Sequence, residues 1–190
     1  MTDATDNIAG QRAGAQTAET RLDEILRVDH AGELGAIRIY EGQLAVLSAA
    51  RPSTRTAALV HHMLEQEQAH KAAFDKLLAE RQVRPTLLDP FWSAAGFALG
   101  AATALLGEKA AMACTVAVED VIGEHYAKQI EELSVKEPDL AAELGRMRGE
   151  EMEHRATGLS EGAERTAGYP LLSGLIRAGC RLAIKVAEKI

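Results

Sequence analysis

The chain has 190 residues, 47% of them hydrophobic and only 4% aromatic, and a formal net charge of −7. That length suits a single helical core, and an acidic balance gives no basis for a nucleic-acid partner. The only cysteines, Cys114 and Cys180, lie far apart in the sequence and in apolar surroundings. They exclude a disulfide framework and a Cys-x-x-Cys redox motif, and a reducing compartment is the default.

Residues 1–20 contain Asp3, Asp6 and Glu19 but no apolar run. They are expected to form a disordered N-terminal tail rather than a secretory signal, leaving residues 21–190 as one domain in the cytoplasm. Thr20 and Asp23 make a capping-box-like start for a first helix, which Arg51-Pro52 ends. Along it Leu26, His30, Glu33, Ile37, Tyr40, Leu44 and Leu47 step by four and three, the spacing of a core-facing seam. Ser53 or Thr54 opens a second helix, closed by Arg84-Pro85 near residue 83. Its seam is Val60, Met63, Glu67, His70, Phe74 and Leu77.

From Pro90 to Gly107 no residue is charged, and half of the positions are Ala or Gly. The length touches that of a membrane span, yet the composition is weakly hydrophobic and Phe91-Trp92 is typical of a membrane interface. Interfacial or re-entrant contact is therefore expected, with an internal crossover helix as the alternative. Gly96-x-x-x-Gly100 permits close helix contact but is a common spacing. A third bundle helix follows over Glu108–Val135, with Met112, Val116, Glu119, Ile122, Tyr126, Ile130 and Leu133 inward. Pro138 opens a fourth that continues to about Arg165, its seam Leu140, Leu144, Met147, Glu151, His154 and Gly158. After Gly168 and Pro170, a last helix carries Arg177, Arg181, Lys185 and Lys189 beside an apolar stripe of Leu172, Leu175, Ile176, Leu182 and Val186. With Glu188, residues 169–190 carry +3, leaving −10 on the remainder. A basic amphipathic helix of this kind binds anionic membrane surfaces. No stretch alternates convincingly at period two, so the fold is expected to be all-α.

Polar residues interrupt all four inward seams. Glu67 to His70 and Glu151 to His154 are two copies of Glu-x-x-His, each preceded at a closely similar distance by a lone glutamate, Glu33 and Glu119. Burying four carboxylates costs several kcal/mol for each ion unless the charge is compensated. One Glu from each of two helices and a Glu-x-x-His from each of two others is the ligand set of ferritin-like di-iron carboxylate bundles. The step from Glu33 to Glu119 nearly equals that from Glu67 to Glu151, which implies two related helical hairpins. The expected fold is therefore an antiparallel four-helix bundle with an apolar crossover and a C-terminal amphipathic helix. Carboxylate-rich ligation with two imidazoles and no thiolate suits iron or manganese rather than structural zinc, and iron is the expected metal. Glu67 and Glu151 are expected to bridge two iron ions, Glu33 and Glu119 to be terminal, and His70 and His154 to cap one iron each. Asp29 and Asp120 are candidate acceptors for the second histidine nitrogens. His30 is expected to hydrogen-bond within the core, His61 and His62 to be surface or packing residues, and Glu65, Glu150 and Glu153 to be solvated. Two rivals fit part of this pattern: an iron-storing or iron-oxidising protein, and a metal-free helical scaffold with a basic partner for each glutamate.

Longer blocks carry a more specific resemblance. Arg27-Val28-Asp29-His30-Ala31-Gly32-Glu33-Leu34-Gly35-Ala36, Glu65-Gln66-Glu67-Gln68-Ala69-His70, Met112 to Glu119, His125-Tyr126, Glu150 to His154 and Ala178-Gly179-Cys180-Arg181 resemble the demethoxyubiquinone hydroxylase family over residues 21–190. The resemblance implies a membrane-associated di-iron monooxygenase, ferrous in its reduced state, that uses O2 to hydroxylate a polyprenylated demethoxyubiquinol. It also implies a peripheral place on the cytoplasmic face of the inner membrane, other ubiquinone-biosynthesis proteins as partners, and a role for His125 and Tyr126 near the substrate or the metals. A buried Tyr126 that only packs the bundle fits equally well. No Gly-x-Gly-x-x-Gly follows a predicted strand, so electrons come from NADH directly, a separate reductase or the quinol itself.

Overall fold

A computed structural model describes the backbone of residues 3–50 and 54–189, and the side chains of residues 20–49 and 54–189. These residues form six α-helices and no strand: α1 (Asp3–Ala50), α2 (Arg55–Arg81), α3 (Asp89–Leu105), α4 (Glu108–Leu133), α5 (Pro138–Ser160) and α6 (Tyr169–Ala187), with a 3-10 turn at Ala163–Arg165. Two expected boundaries change. The backbone is already helical at Asp3, so no helix begins at Thr20-Asp23; the expected tail falls mostly on residues whose side chains lie outside those described. The fourth bundle helix stops at Ser160 because Gly162 takes a left-handed φ of 87°, and Arg165 belongs to the 3-10 turn instead. Thr54, not Ser53, caps α2, its hydroxyl accepting from the Ala57 amide at 3.1 Å. The Arg51-Pro52 stop lies outside the described residues.

The bundle interior holds two apolar layers with a polar layer between them, and a third apolar cluster of Ile39, Cys114, Val118 and Ile176 joins α1, α4 and α6. The first layer contains Ile37, Tyr40 and Leu47 of α1, Val60 and Met63 of α2, and Met112 and Val116 of α4, with Ala163 just beyond α5. The second contains Leu22 and Leu26, Phe74 and Leu78, Tyr126 and Leu133, and Leu144 and Met147. In sequence, α1 and α5 run from the second layer to the first, whereas α2 and α4 run the opposite way. Each hairpin, α1–α2 and α4–α5, is therefore antiparallel, as short connections dictate. Since α2 and α4 run the same way, the chain must cross back between them. The 17-residue α3 spans about 25 Å and makes that return.

Helix α3 packs on α1 through its glycines. A Cβ on Gly100 would lie 1.9 Å from the Ile39 carbonyl oxygen, and one on Gly42 would lie 2.2 Å from that of Phe97. The Gly96-x-x-x-Gly100 spacing is thus a close backbone contact between two helices of this chain. Gly100→Ala is expected to force α3 off α1 and lower stability by about 1–3 kcal/mol, read as a fall in melting temperature. Gly145→Ala, at an exposed α5 position with open space around it, should instead stabilise by roughly 0.5–1 kcal/mol.

Candidate metal centre

In the polar layer, Glu33, Glu67, His70, Glu119, Glu151 and His154 are all buried. Their placement follows from the seam: each replaces an apolar residue at the point where its helix passes from one core layer to the other. The structure brings all six together as two overlapping groups. Glu33, Glu67, His70 and Glu151 form one, and Glu67, Glu119, Glu151 and His154 the other; within each, one ligand atom per residue lies within 4.8 Å of the rest. Only Glu67 and Glu151 belong to both. Their helices α2 and α5 carry the histidines as well, so each Glu-x-x-His faces the other across the bundle.

The donor set fits metal ions better than a self-contained charge network. Eight atoms of these six residues are buried without a hydrogen-bond partner: both oxygens of Glu67 and Glu151, one each of Glu33 and Glu119, and Nδ1 of both histidines. Buried polar atoms rarely go unpaired, and these share one centre. Among the described residues no Lys or Arg pairs with the four carboxylates. Their only cationic neighbours are the imidazoles: His70 Nδ1 is 3.1 Å from Glu151, and His154 Nδ1 is 3.1 Å from both Glu67 and Glu151. Glu33 lies 3.5 Å from His70 and Glu119 4.0 Å from His154, so two imidazoles are shared among four carboxylates and no glutamate has a basic partner of its own among the described residues.

Titration behaviour follows from this crowding. Burial, then the neighbouring carboxylates, pushes Glu67 and Glu119 well above the ordinary carboxylate range. Burial opposes charge on Glu151 too, but contact with His154 and His70 outweighs it and holds this carboxyl down to about 2. Burial would likewise neutralise His70, yet Glu151, Glu33 and Glu67 raise it; His154 rises for a similar reason. Burial and mutual repulsion thus favour the protonated forms of Glu67 and Glu119, and a metal bound there would displace those protons.

Around the six lies a second set of contacts, which repeats between the halves. Tyr40 donates its hydroxyl to Glu119 Oε1 at 2.5 Å, and Tyr126 donates to Glu33. Each tyrosine stands two helical turns after the equivalent glutamate of its own half, and reaches the glutamate of the other. His154 Nε2 pairs with Gln66 Oε1 at 3.0 Å, and His70 Nε2 with Glu150 Oε2 at 2.5 Å. These acceptors replace the expected Asp29 and Asp120. Asp29 is buried but accepts from Gln129 Nε2 at 2.8 Å and lies 3.4 Å from His125 Nε2. Asp120 pairs instead with Arg155 and with Arg177, the latter at 2.6 Å. Glu150 is not simply solvated, because its position one residue before Glu151 turns it toward α2. Glu65 and Glu153 are exposed, as are His61 and His62. His30 is buried and bonds the outward Asp75 at 2.9 Å.

An apolar cavity of about 540 Å³ lies beside this centre, between α1, α3, α4 and α6. Of the six clustered residues only Glu33 lines it, together with Tyr126, His125 and Asp29 at the polar end and Trp92, Leu175 and Ile176 among the apolar residues. No described helix is long and apolar enough to cross a membrane. On α6, Arg177 is engaged by Asp120 and Arg181 by Glu124 at 3.0 Å, so half of the basic stripe docks this helix onto α4. Lys185 and Lys189 make no ion pair among the described residues.

Fold and site together define an all-α carboxylate–histidine bundle with a place for two metal ions beside an apolar cavity. The family model described as ubiquinone biosynthesis protein COQ7 matches residues 20–187, and the chain belongs to that family. It is 51% identical to the 3-demethoxyubiquinol 3-hydroxylase of Rhodospirillum rubrum over 98% of this chain and 92% of that one. It is 47% identical to the human NADPH-dependent 3-demethoxyubiquinone 3-hydroxylase, a mitochondrial protein, over 89% of this chain and 78% of the relative. The yeast mitochondrial 5-demethoxyubiquinone hydroxylase is 40% identical, with the same coverage.

Proposed function

We propose that this chain is an O2-dependent monooxygenase that hydroxylates the ring of a polyprenylated demethoxyubiquinol to the demethylubiquinol, using two iron ions held by Glu33, Glu67, His70, Glu119, Glu151 and His154. The chain is an enzyme, a hydroxylase of ubiquinone biosynthesis. Glu67 and Glu151, which belong to both groups, would be shared by the two ions, Glu33 and Glu119 would each serve one, and each histidine would offer Nδ1, a division supported by the overlap of the two groups and by the unpaired ligand atoms. Oxygen-rich donors without thiolate suit iron. In their ferrous state the two ions would supply O2 binding and electrons for ring hydroxylation, one oxygen atom entering the ring and the other leaving as water.

The observation that carries this reading is a cluster of buried, unpaired ligand atoms at the polar end of an apolar cavity. An iron store has no use for such a cavity. Here the apolar walls exclude water and receive the substrate's prenyl chain, and Glu33 marks the end where the ring must lie. Tyr126 holds Glu33 in place from the other half, while His125, set by Asp29 and Gln129, offers the ring a polar contact. Residues 21–190 make up the catalytic domain and residues 1–20 lie outside it, a division supported by the family match beginning at residue 20.

The cavity's flank faces lipid in this reading. Phe91 and Leu175 line it and are themselves largely exposed, with Leu171 and Leu182 beside them on α6. The protein would sit peripherally on the cytoplasmic face of the inner membrane, where other ubiquinone-biosynthesis proteins are its partners. Lys185 and Lys189 contribute attraction to anionic headgroups at about 1 kcal/mol each. Exchanging both for Gln should weaken binding to anionic vesicles by tenfold or more, with no change toward neutral vesicles; unchanged anionic binding would return α6 to a purely structural role. For the reaction itself, cells lacking the gene should accumulate the demethoxy precursor in their lipid extract. A normal quinone profile would overturn the assignment.

A further inference from the structure

The two halves of the centre match in almost every contact. Each terminal glutamate receives one tyrosine hydroxyl from the opposite half, Tyr126 on Glu33 and Tyr40 on Glu119. Each histidine turns Nδ1 inward and Nε2 toward a side chain one residue before the opposite Glu-x-x-His: Gln66 for His154, Glu150 for His70. The acceptors occupy the same register in the two halves, yet one is a neutral carboxamide and the other a carboxylate. Behind Glu150, Arg146 donates to the other carboxylate oxygen at 2.7 Å, and is itself held by Glu143 at 2.7 Å. Gln66 has no such support in an ion pair.

We propose that Glu150 makes the two metal positions unequal, so that the one formed by Glu33 and His70 binds metal more tightly than the one formed by Glu119 and His154. The proposal rests on the metal-centre reading above. A carboxylate that accepts the Nε2 proton adds electron density to the imidazole and strengthens Nδ1 as a donor; a carboxamide orients the ring with far less effect. The stronger position is also the one beside the cavity, because Glu33 and Tyr126 line it while Glu119, Tyr40 and His154 do not. Glu150 is a positioning residue: it touches neither metal nor substrate and acts through His70.

The test is anaerobic titration of the metal-free full chain with cobalt(II), followed by its visible absorption. Wild type should bind two equivalents in phases at least about tenfold apart in affinity, the range over which such outer partners act. His70→Ala should remove the tighter phase. Glu150→Gln should weaken that phase and bring the two within about threefold, and Gln66→Glu should strengthen the weaker phase by about tenfold. A gain of affinity in Gln66→Glu cannot arise from misfolding. If Glu150→Gln left the two phases where wild type has them, or Gln66→Glu left the weaker phase unchanged, the inequality would not come from these residues and the inference would fall. A wild-type chain that bound no cobalt would overturn the metal centre itself.

Discussion

Glu151→Ala is expected to abolish ring hydroxylation, by about a thousandfold or more, and to leave the protein with less than one iron per chain. Glu151 contributes to both ligand groups, is fully buried, and has both oxygens free of hydrogen bonds. It also stands 3.1 Å from each histidine Nδ1, so its removal takes a shared anion away from both positions at once. A thousandfold loss corresponds to about 4 kcal/mol of transition-state stabilisation. Because Glu151 is also the anion nearest both imidazoles, its loss should lower the melting temperature as well, and the charge-removing but isosteric Glu151→Gln separates loss of metal from loss of fold. Metal analysis and turnover of the purified variant check this together, and full activity would refute the bridging role.

Gly179→Phe should separate the cavity from the metals. Gly179 lines the cavity from α6 at an exposed position, and a Cβ there meets nothing within 4 Å, so a side chain can be attached without moving the backbone and a phenyl ring turned toward α1 would occupy the cavity. Filling that space should lower turnover of a long-chain quinol by about a hundredfold, or roughly 3 kcal/mol, while iron content and melting temperature stay near wild type. A short-chain analogue that does not need the outer part of the cavity should lose much less. Equal losses for both substrates would mean that the prenyl chain takes another route.

The six clustered residues were legible because their spacing coincides with the apolar seam of each helix: a Glu or His that replaces a Leu in a three-and-four pattern must point inward. The outer acceptors were not, because their reach crosses between helices. Asp29 and Asp120 satisfy a same-helix rule, one turn before or one residue after a ligand, but the histidines they were to serve sit on α2 and α5, away from α1 and α4. Gln66 and Glu150 precede the Glu of each Glu-x-x-His, about 100° off the seam; Glu150 reads as solvated and Gln66 carries no expectation until the two motifs are set opposite each other. Their matched register was the available signal. Tyr40 and Tyr126 carried a similar one, each two turns after a terminal glutamate. The basic stripe of α6 divides for the converse reason, Arg177 and Arg181 docking on α4 while Lys185 and Lys189 make no ion pair among the described residues. Its period was correct, yet whether Arg177 and Arg181 meet lipid or Asp120 and Glu124 depends on which helix docks beside them. The backbone contact of Gly100 with Ile39 was equally hidden, since Gly-x-x-x-Gly names a close approach without naming the partner.

Iron content after anaerobic reconstitution tests the central claim most directly. Metal-free protein incubated with excess ferrous ion and freed of unbound metal should retain two iron ions per chain, both lost in a Glu67→Ala, Glu151→Ala double variant. Retention of fewer than about one iron per chain by the wild type would contradict the dinuclear centre.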